Sequence, residues 1–588
     1  MRKKGNGPFL QNNGKSCRSK EVLMKIALYQ VAGDEEWRMS LAPEVDERHW
    51  REQGRQITWL GVTCSIGLAA AFIRKRSLPR HMETGLAPLP ALTDGDWDEV
   101  KQTGQKWIPF LTGRALLLEE IEALLLKHGQ TDASERLRRV LQWLILKGEC
   151  DMRPGVDSAR PAWHWRCERC GAGGSTLVVR TCASCQEHCV VCETCLIMGR
   201  SRTCTPFFLF TKTQGRALGA VSSFTEVQVG ASRHSLTIAQ RRAVTELRGH
   251  LCGSARQVLV WAVTGAGKTE MMFPLLEEAL RAGKKVAWVT PRKDVVLELA
   301  PRIRQAFNSV RVLALHGGSA DAWLTGEVVV ATAHQMWRFA QAFEWMVVDE
   351  VDAFPLYGHH ALEQGLHRAL APSGKQVLLT ATPPVGWQSL AKQGRLPCVV
   401  LPARHHGFPL PEPRLAVVWG LWRKLRRNRP IPVVERFLKQ VEARSGQAML
   451  FVPRVQDVKV VVTWLIGQGW PQEEIAGVYA AQPDREEEVA RFRDGSRKWL
   501  VTTTILERGV TVPRVHVLVL GADHLVFDRA GLVQIAGRVG RRADYQEGEV
   551  WFVAEERTEA QIKALKEIKR LNHWAAKEGF LQKEAYSH

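Results

Sequence analysis

A glycine-rich turn between an apolar run and an amphipathic stretch constrains this chain more than any other feature. Residues 262–269 read Ala-Val-Thr-Gly-Ala-Gly-Lys-Thr, after the apolar run 258–261 and before a helix-like stretch at 270–280. A buried strand that leads through such a turn into a helix aims backbone N–H groups and the positive end of the helix dipole at one point. A polyphosphate matches this concentration of donors. The order of the three segments therefore predicts a nucleotide-phosphate loop.

The side chains of this loop suit the same ligand. Lys268 supplies a positive charge for the terminal phosphates, and the hydroxyl of Thr269 is a ligand for Mg²⁺. The first position is Ala262, where most loops of this kind have glycine. The predicted ATP-binding residues of the loop are Thr264, Gly265, Ala266, Gly267, Lys268 and Thr269.

A second apolar run, at 345–348, ends in the acids Asp349, Glu350 and Asp352. In phosphoryl-transfer sites the first acid after such a strand holds Mg²⁺ through water, and the next can polarise the attacking water. We assign Asp349 to the metal and Glu350 to the water. An acidic loop on a solvated surface is the alternative, and the presence of Lys268 in the same chain disfavours it.

A third group of residues supplies arginines. Residues 534–542 read Gln-Ile-Ala-Gly-Arg-Val-Gly-Arg-Arg, so Arg538 and Arg541 lie three positions apart and share one face of a predicted helix. Arginine donors that reach the γ-phosphate from a second domain stabilise the charge of the transition state. A basic helix that contacts nucleic acid is the alternative, above all for Arg542.

Both lobes of an α/β fold can be read from the apolar runs. Strands are predicted at 258–263, 286–289, 328–332, 346–349 and 377–380, and again at 448–452, 499–503, 517–520 and 549–553. Helical stretches between most of them indicate parallel, doubly wound sheets, whose ligands lie at the carboxyl ends of the strands. The proline-rich segment 402–413 is the predicted hinge between the lobes.

Eight of the 13 cysteines lie between Cys167 and Cys204. Two cysteines separated by two residues can hold one ion, and two such pairs complete a tetrahedral thiolate site. A secreted disulfide scaffold is the alternative, but a chain that uses ATP is expected to be cytosolic and reduced. The sequence therefore predicts structural zinc, and no general base accompanies an open site for catalytic zinc.

The charge balance indicates a polyanionic partner. The chain has 588 residues, enough for about four domains, and a formal net charge of +20. Nucleic-acid phosphate is the simplest partner for this excess, and an acidic membrane surface is the alternative. The densest basic run, 423–429, is interpreted as a solvated face rather than a dedicated DNA contact.

The order and wording of these motifs resemble the two RecA-like lobes of a superfamily 2 helicase or translocase, over about residues 235–555. Further matching segments lie at 236–240, 290–292, 332–335, 380–384 and 502–511. The acidic motif reads Asp-Glu-Val-Asp, and Thr511 stands where many relatives have an aspartate near the ribose. The resemblance implies ATP contacts at Gln240 and Gly509, nucleic-acid contacts at Thr290, Arg292, Thr332 and Thr503, and coupling between the two sites through Thr380, Thr382 and Gln534.

Within that superfamily, residues 262–270, 349–355, 402–406 and 502–513 resemble the late competence ComFA-type proteins, which help to carry transforming DNA into the bacterial cytoplasm. The resemblance implies a first zinc site at Cys167, Cys170, Cys192 and Cys195. The remaining cysteines of the cluster, Cys182, Cys185, Cys189 and Cys204, are the candidates for a second zinc, with His188 as an alternative ligand. The expected cofactors are ATP, Mg²⁺ and Zn²⁺.

The expected fold is α/β, with two tandem RecA-like parallel-sheet lobes preceded by a Cys-rich zinc module and a mostly helical N-terminal region. The expected domains are an N-terminal accessory region (1–160), the zinc-binding module (161–205), lobe 1 (230–405), lobe 2 (414–560) and a C-terminal helical tail (561–588). The uncharged run 57–73 is interpreted as a core element, in preference to a peripheral membrane contact or a short span.

The function that the resemblance implies is a nucleic-acid-stimulated ATPase that translocates single-stranded DNA during transformation. A general DNA or RNA helicase of the replication-restart type, and an ATP-gated DNA-binding adaptor, are the alternatives. The expected location is the cytoplasmic face of the membrane, beside the uptake channel and a phosphoribosyltransferase-like partner. The oligomeric state is left open.

Overall fold

The computed structural model describes residues 24–75, 82–84, 91–130, 133–158, 164–211, 235–506, 512, 514–541, 545–546 and 548–582. The chain divides into two compact units. The first comprises residues 1–111 and 115–210, and the second comprises residues 112–114 and 211–588.

The first unit combines small antiparallel sheets with helices. Its strands are β1 (Ile26–Val31), β2 (Trp37–Ser40), β3 (Ile57–Thr63), β4 (Glu83–Thr84), β5 (Ala115–Leu117), β6 (Asp151–Pro154), β7 (Val156–Asp157), β8 (Arg166–Cys167), β9 (Leu177–Thr181), β10 (His188–Cys192) and β11 (Pro206–Leu209). Its helices are α1 (Pro43–Glu52), α2 (Ile66–Lys75), α3 (Asp94–Leu111), α4 (Leu118–Lys127) and α5 (Ala133–Leu146), with 3₁₀ turns at Gly174–Thr176 and Leu196–Met198.

The N-terminal region has the predicted helices and also a sheet that the sequence did not predict. Strands β2-β1-β3-β4 form this four-stranded antiparallel sheet. A buried carboxylate ties the sheet to the helices: Asp46 of α1 accepts hydrogen bonds from Tyr29 (2.6 Å), Ser40 (2.5 Å) and Gln142 of α5 (2.9 Å). Because every donor comes from a different element, this network fixes how α1 and α5 sit on β1.

The uncharged run 57–73 is a core element, as predicted. It forms β3 and most of α2, and Ile66, Ala69 and Phe72 are buried. A membrane span is the wrong interpretation, because a turn breaks the run at Cys64 and Ser65. Among the described residues, no helix combines the length and the hydropathy that crossing a bilayer requires.

The second unit contains two parallel sheets. Lobe 1 comprises α6 (Ile238–Cys252), β12 (Gln257–Ala262), α7 (Lys268–Arg281), β13 (Val286–Thr290), α8 (Lys293–Ala306), β14 (Val312–Leu315), β15 (Val328–Thr332), a 3₁₀ helix (Ala333–Arg338), β16 (Phe343–Asp349), α9 (His360–Ala369), β17 (Leu370–Thr380), α10 (Val385–Lys392) and β18 (Cys398–Leu401). Lobe 2 comprises β19 (Arg414–Val417), α11 (Leu421–Arg426), α12 (Pro432–Ala443), β20 (Gln447–Phe451), α13 (Val455–Gly467), a 3₁₀ turn (Gln472–Glu474), β21 (Ile475–Val478), α14 (Arg485–Arg493), β22 (Trp499–Thr502), a 3₁₀ turn (Thr504–Leu506), β23 (Val515–Leu520), α15 (Arg529–Ala536), β24 (Val550–Ala554) and α16 (Glu559–Lys577).

The strand orders confirm the predicted doubly wound architecture. Lobe 1 is ordered β14-β15-β13-β16-β17-β12-β18, lobe 2 is ordered β19-β24-β23-β20-β22-β21, and the named pairs are parallel. All nine predicted strands are present. The four strands that the sequence did not predict, β14, β18, β19 and β21, are the four edge strands. Each has four residues, so each carries a short hydrophobic signal.

The strand order brings the predicted catalytic segments together. Strand β17 separates β12, which leads into the phosphate loop, from β16, which ends in Asp349. Two strand spacings amount to about 10 Å. Because all three strands are parallel, their carboxyl ends share one edge of the sheet, where doubly wound folds bind their ligands.

The first unit depends on a buried ion pair that we expect to be costly to break. Arg169 lies between two cysteines and is fully buried, and its Nη2 donates to Oε1 of Glu120 at 2.6 Å. Arg169→Ala leaves that carboxylate without its counter-charge, so the free energy of unfolding should fall by about 3–5 kcal/mol. Guanidinium denaturation of the zinc-loaded protein measures the change. The control is Arg180→Ala, whose pair with Glu193 is exposed, and which should cost at most about 1 kcal/mol. Equal losses would contradict the assignment.

Candidate active site and metal centres

The phosphate loop has the backbone that its glycines predict. Gly265 and Gly267 adopt φ of +79° and +74°, which L-residues with a side chain rarely adopt. A Cβ on Gly267 would also lie 2.4 Å from Nε2 of Gln240. Lys268 is the first residue of α7, so it stands at the positive end of the helix dipole. Lys268 and Thr269 are both half-buried.

The side chain of Gln240 supports the phosphate loop through a hydrogen bond. Its Nε2 donates to the carbonyl of Ala266 at 2.8 Å, and its Oε1 accepts from the N–H of Thr237 at 2.9 Å. The side chain is 4% exposed. Both ends of the amide are therefore engaged within lobe 1, and the adenine contact at Gln240 stays a prediction.

The two predicted catalytic acids lie at the carboxyl end of β16. Asp349 is the last residue of the strand and is buried. Its Oδ1 accepts from the N–H of Glu350 at 2.9 Å. Glu350 has φ of +51°, a left-handed conformation that is uncommon for a side chain of this size. The strand therefore ends at Asp349. The two acidic residues differ in backbone conformation, which is extended at Asp349 and left-handed at Glu350.

A chain of hydrogen bonds links the acidic motif to lobe 2. Asp352 accepts from the hydroxyls of Thr380 (2.7 Å), the last residue of β17, and of Thr382 (2.6 Å), two residues later. The hydroxyl of Thr382 in turn accepts from Nε2 of Gln534 in α15 at 3.2 Å. These contacts join the three predicted coupling residues. Asp352 is the last acid of the motif, and its role becomes visible only in the folded lobe.

The two predicted catalytic arginines lie beyond a helix rather than on it. Helix α15 ends at Ala536, and Gly537 caps it, so the prediction of one helix face for Arg538 and Arg541 was wrong. At this helix end the lobes pack closely: a Cβ on Gly537 would lie 1.9 Å from the hydroxyl of Thr264 in the phosphate loop. We call residues 537–541 the arginine turn. Arg538 is 2% exposed, and Nε of Arg541 donates to the carbonyl of Gly537 at 3.0 Å.

A further arginine, to which the sequence analysis assigned no role, holds this turn. Arg404 follows β18, is 2% exposed, and donates from Nη1 to the carbonyls of Val539 (2.7 Å) and Gly540 (2.6 Å), and from Nη2 to that of Gly537 (3.3 Å). Its side-chain stem lies 3.7 Å from the position of a Cβ on Gly265. The only signal in the sequence was its place in the motif 402–406.

The two histidines that follow Arg404 make further hydrogen bonds, one to the phosphate loop and one to the arginine turn. Nδ1 of His405 lies 2.9 Å from the carbonyl of Gly265, and Nε2 of His406 lies 2.9 Å from that of Gly540. Burial lowers the pKa of His406 to about 4, and the charge of Arg404 adds to this. His406 is therefore neutral at pH 7, so its Nε2–H donates to Gly540 while Nδ1 accepts from the N–H of Phe408 (3.2 Å). The segment 402–413, predicted as a hinge, thus anchors lobe 2 to the phosphate loop.

The site concentrates positive charge where a polyphosphate is predicted. Burial lowers the pKa of Arg541, and the charge of Glu350 across the lobes opposes this. Burial, together with the charge of Arg541, lowers the pKa of Arg404 to about 9. Two poorly solvated guanidinium groups that repel each other next to the phosphate loop are stabilised by an anion placed among them. This arrangement can bind a polyphosphate and stabilise charge on its terminal group.

The four residues predicted to contact nucleic acid are buried or half-buried. Thr290 is fully buried and Thr332 is 8% exposed, whereas Thr503 is half-buried. Nη1 of Arg292 donates across the lobes to the carbonyl of Ile505 at 3.3 Å. All four lie at or just after the carboxyl ends of strands, and their nucleic-acid contacts stay predictions. Gly509, predicted to contact ATP, and Thr511 lie outside the described residues.

The eight clustered cysteines form two buried groups, divided as predicted. The four Sγ atoms of each group lie within 4.8 Å of one another. The groups are Cys167, Cys170, Cys192 and Cys195, and Cys182, Cys185, Cys189 and Cys204. Pairs within them are 3.8 Å (Cys167 to Cys195), 3.6 Å (Cys170 to Cys192), 3.7 Å (Cys182 to Cys204) and 3.2 Å (Cys185 to Cys189) apart. Four thiolates about 2.3 Å from one tetrahedral zinc are about 3.8 Å apart, so both donor sets fit zinc.

One strand supplies ligands to both groups. Cys189 and Cys192 lie three positions apart in β10, so their side chains leave the β9–β10 hairpin on opposite faces. The hairpin therefore separates two sites instead of forming one larger cluster. Beside the second group, Nη1 of Arg202 lies 3.4 Å from Sγ of Cys182, and this positive charge favours the thiolate form that binds metal.

Three protein-family models match the chain. Residues 101–209 match the ComFA N-terminal domain of competence proteins, residues 237–389 match the DEAD/DEAH box helicase model, and residues 431–543 match the helicase conserved C-terminal domain. The first match contains both cysteine groups, and the other two cover most of lobes 1 and 2.

Curated relatives agree with these matches. Competence protein ComFA of Bacillus subtilis (strain 168) is 37% identical over 440 residues, which is 74% of this chain and 92% of that protein. Competence protein ComFA of Streptococcus pneumoniae (strain ATCC BAA-255 / R6) is 35% identical over 381 residues, which is 65% of this chain and 85% of that protein. The solved structure of S. cerevisiae Dbp5 bound to RNA and ADP BeF3 is 16% identical, covers 62% of this chain and 98% of its own, and aligns with a TM-score of 0.44.

The contacts of Arg404 predict a selective loss of turnover. Arg404→Lys keeps the charge, but an ammonium group cannot reproduce the three contacts that the guanidinium makes with the arginine turn. A misplaced turn should lower kcat for ATP about 10–100-fold, and binding of a fluorescent ATP analogue should change much less. Arg395→Lys, at an exposed position of the same lobe, is the control. Weakened ATP binding at unchanged kcat would contradict this role.

The two cysteine groups predict two zinc ions per chain. Metal analysis of the purified protein by mass spectrometry should find a ratio close to two. The double variant Cys182→Ser/Cys185→Ser should lower it to one, because two thiolates cannot close a tetrahedral structural site. Cys252→Ser, at an exposed cysteine outside both groups, should leave the ratio unchanged. A ratio of one in the unaltered protein would eliminate one of the sites.

Proposed function

This chain belongs to the ComFA family of competence proteins, and we propose that it is an ATP-driven translocase of single-stranded DNA that moves transforming DNA into the cell. Its helicase domains make it a nucleic-acid-dependent ATPase. The observation that carries the proposal is the junction at which Gly537 of lobe 2 packs against Thr264 of the phosphate loop. A displacement of the phosphate loop therefore also displaces the arginine turn that packs on it.

The proposed catalytic roles follow from this junction. ATP binds at the phosphate loop with Lys268, and Thr269 and Asp349 would hold its Mg²⁺. Glu350 polarises the attacking water, while Arg538 and Arg541 stabilise the charge that develops on the γ-phosphate. Because the cations come from both lobes, bound ATP favours closure. Loss of the γ-phosphate removes the anion that the two lobes share.

Movement along DNA requires that closure changes the nucleic-acid face. The hydrogen bonds from Asp352 through Thr382 to Gln534 run from the acidic motif across to lobe 2. They provide a direct route from the hydrolysis site to the second lobe. Residues Thr290, Arg292, Thr332 and Thr503 are the proposed contacts to the strand, through phosphates and hence without sequence preference. Each cycle of closure and opening then shifts one lobe's contacts relative to the other's.

The remaining parts of the proposal concern partners. The cysteine-rich region, with one zinc in each group, presents a small rigid surface for DNA or for the uptake machinery. ATP is available on the cytoplasmic side, so the motor would act at the inner face of the membrane beside the channel. A phosphoribosyltransferase-like partner is proposed from the resemblance to the family.

Steady-state ATP hydrolysis tests the proposal. The zinc-loaded protein is assayed without nucleic acid and with single-stranded DNA, duplex DNA or RNA. We expect at least about tenfold stimulation by single-stranded DNA, little by duplex DNA or RNA, and near-complete loss of hydrolysis in Lys268→Ala, because that ammonium group contacts the terminal phosphates. The control variant is Lys284→Ala, an exposed lysine of the same lobe.

The other outcomes separate the alternatives. Equal stimulation by RNA or duplex DNA points to a general helicase. Tight binding of DNA with negligible turnover points to an ATP-gated adaptor, and hydrolysis retained in Lys268→Ala refutes the site itself. Displacement of streptavidin from the end of a biotinylated oligonucleotide, driven by ATP, distinguishes a translocase from an ATPase that remains stationary.

A further inference from the structure

An exposed tryptophan and a group of cations that form no ion pair within the described residues lie together on lobe 2. Trp419 follows β19 and is 79% exposed. Helix α11 and the turn after it carry five cations in seven positions, at Arg423, Lys424, Arg426, Arg427 and Arg429. Within the described part of the chain, none of these five forms an ion pair. We call Trp419 and these five cations the α11 patch.

The patch is a fixed part of the lobe. The N–H of Trp422 donates to Glu555 at 3.3 Å, and Trp422 packs so closely on Gly521 that a Cβ there would lie 2.7 Å away. Trp464 of α13 donates from its ring N–H to the carbonyl of Arg429 at 2.8 Å. These contacts anchor both ends of the basic run, whose four arginines are exposed while Lys424 is half-buried.

Loops from two neighbouring strands extend the patch. Nε of Arg454, after β20, lies 3.3 Å from Nε2 of His524, after β23. Leu525, the next residue, is 96% exposed. Burial raises the pKa of the Asp457 carboxyl, and the charges of Arg454 and Arg426 oppose this rise, so both guanidinium groups lie near this carboxylate. Arginines from α11 and from the loop after β20 therefore lie on one surface, which also displays the apolar side chain of Leu525.

Such a surface is unfavourable without a partner. Closely spaced like charges repel one another, and a tryptophan left mostly in water keeps its large apolar area hydrated. A solvated basic face explains the arginines but does not explain Trp419. A ligand that carries both regular negative charge and flat apolar rings satisfies both features, and a nucleic-acid strand with accessible bases is such a ligand.

The position of the patch fits that ligand. Strand β19, which precedes Trp419, and β22, which precedes Thr503, are both parallel strands of one sheet, so the two residues lie at the same carboxyl edge. Four strand spacings separate β19 from β22, or about 19 Å. Arg454 and Leu525 follow strands that lie between them. A strand held at Thr503 can therefore continue along this edge to Trp419.

We propose that the α11 patch is a second binding site for single-stranded nucleic acid, in which the arginines bind phosphates and a base stacks on Trp419. This inference rests on the proposed function and adds to it a site outside the helicase motifs. Binding is independent of sequence, because every base has a π-face and the cations contact the backbone. The site lengthens the track that lobe 2 offers to the strand.

Binding of a fluorescent oligothymidylate, followed by anisotropy at several salt concentrations, tests the proposal in the full chain. Trp419→Ala should weaken binding at least about fivefold, the lower end of measured base stacking. The triple variant Arg423→Gln/Arg427→Gln/Arg429→Gln should reduce the slope of log K against log salt concentration by about 2, since each lost phosphate contact on a single strand contributes about 0.7.

The matched control removes three exposed cations from helices α12 and α14 of the same lobe, as Arg436→Gln/Lys439→Gln/Arg493→Gln. It changes the net charge equally and should leave the salt slope nearly unchanged. An equal loss of slope in control and patch variants would overturn the proposal, because the effect would then be one of total charge.

Two further results would overturn it in distinguishable ways. If the unaltered protein binds the oligonucleotide and the patch variants bind equally well, only the α11 patch is refuted. If the unaltered protein does not bind single-stranded DNA, the proposed function fails first. Sedimentation with phosphatidylserine-containing vesicles tests the alternative ligand, a lipid headgroup. A patch variant that loses vesicle binding but keeps oligonucleotide binding would assign the surface to that headgroup.

Discussion

The contact of Arg404 with the arginine turn is the interaction on which the active site depends. One buried guanidinium group donates to three carbonyls of lobe 2 while its stem packs beside Gly265 of the phosphate loop. Carbonyl groups at the end of a helix lack partners within the helix, and Arg404 supplies donors to three of them together with Arg541 and His406. The same contact fixes where Arg541 points. The catalytic geometry is thus set by a residue with no proposed part in the chemistry.

Electrostatics make this junction sensitive to its ligand. Arg404 and Arg541 repel each other in a poorly solvated position, which is costly unless an anion lies nearby. A nucleotide with three phosphates supplies that anion and removes the cost, whereas the product does so less completely. The hydrogen bonds of Asp352 and Thr382 to Gln534 carry the difference to α15. The anion compensates the charge of Arg541, which follows α15, and the hydrogen bond of Thr382 reaches Gln534 within α15. Both effects therefore act on the same helix.

The two cysteine groups show how a small region can be rigid without a large core. The hairpin of β9 and β10 buries little apolar surface, and its Val179 is 50% exposed. Cys189 and Cys192 lie on opposite faces of the strand, so that a zinc ion held in each group would cross-link chain segments that are otherwise held by short strands. The buried pair of Arg169 and Glu120 then joins this region to α4.

The amino-acid sequence by itself determined the interior of both lobes, the phosphate loop and the division of the cysteines. The lobes and the loop follow from apolar runs and from glycines that permit positive φ, which are local properties, whereas the division of the cysteines follows from the resemblance to the ComFA-type pattern. The tertiary structure decided the four edge strands, the role of Arg404, the link from Asp352 to Gln534, and the departure of Arg538 and Arg541 from α15. Each of these depends on residues far apart in the chain, as when Gly537 meets Thr264. Exposure is decided in the same way: Trp419 and the cations of 423–429 are close in the sequence, but only the folded lobe leaves Trp419 exposed at the carboxyl edge of a sheet.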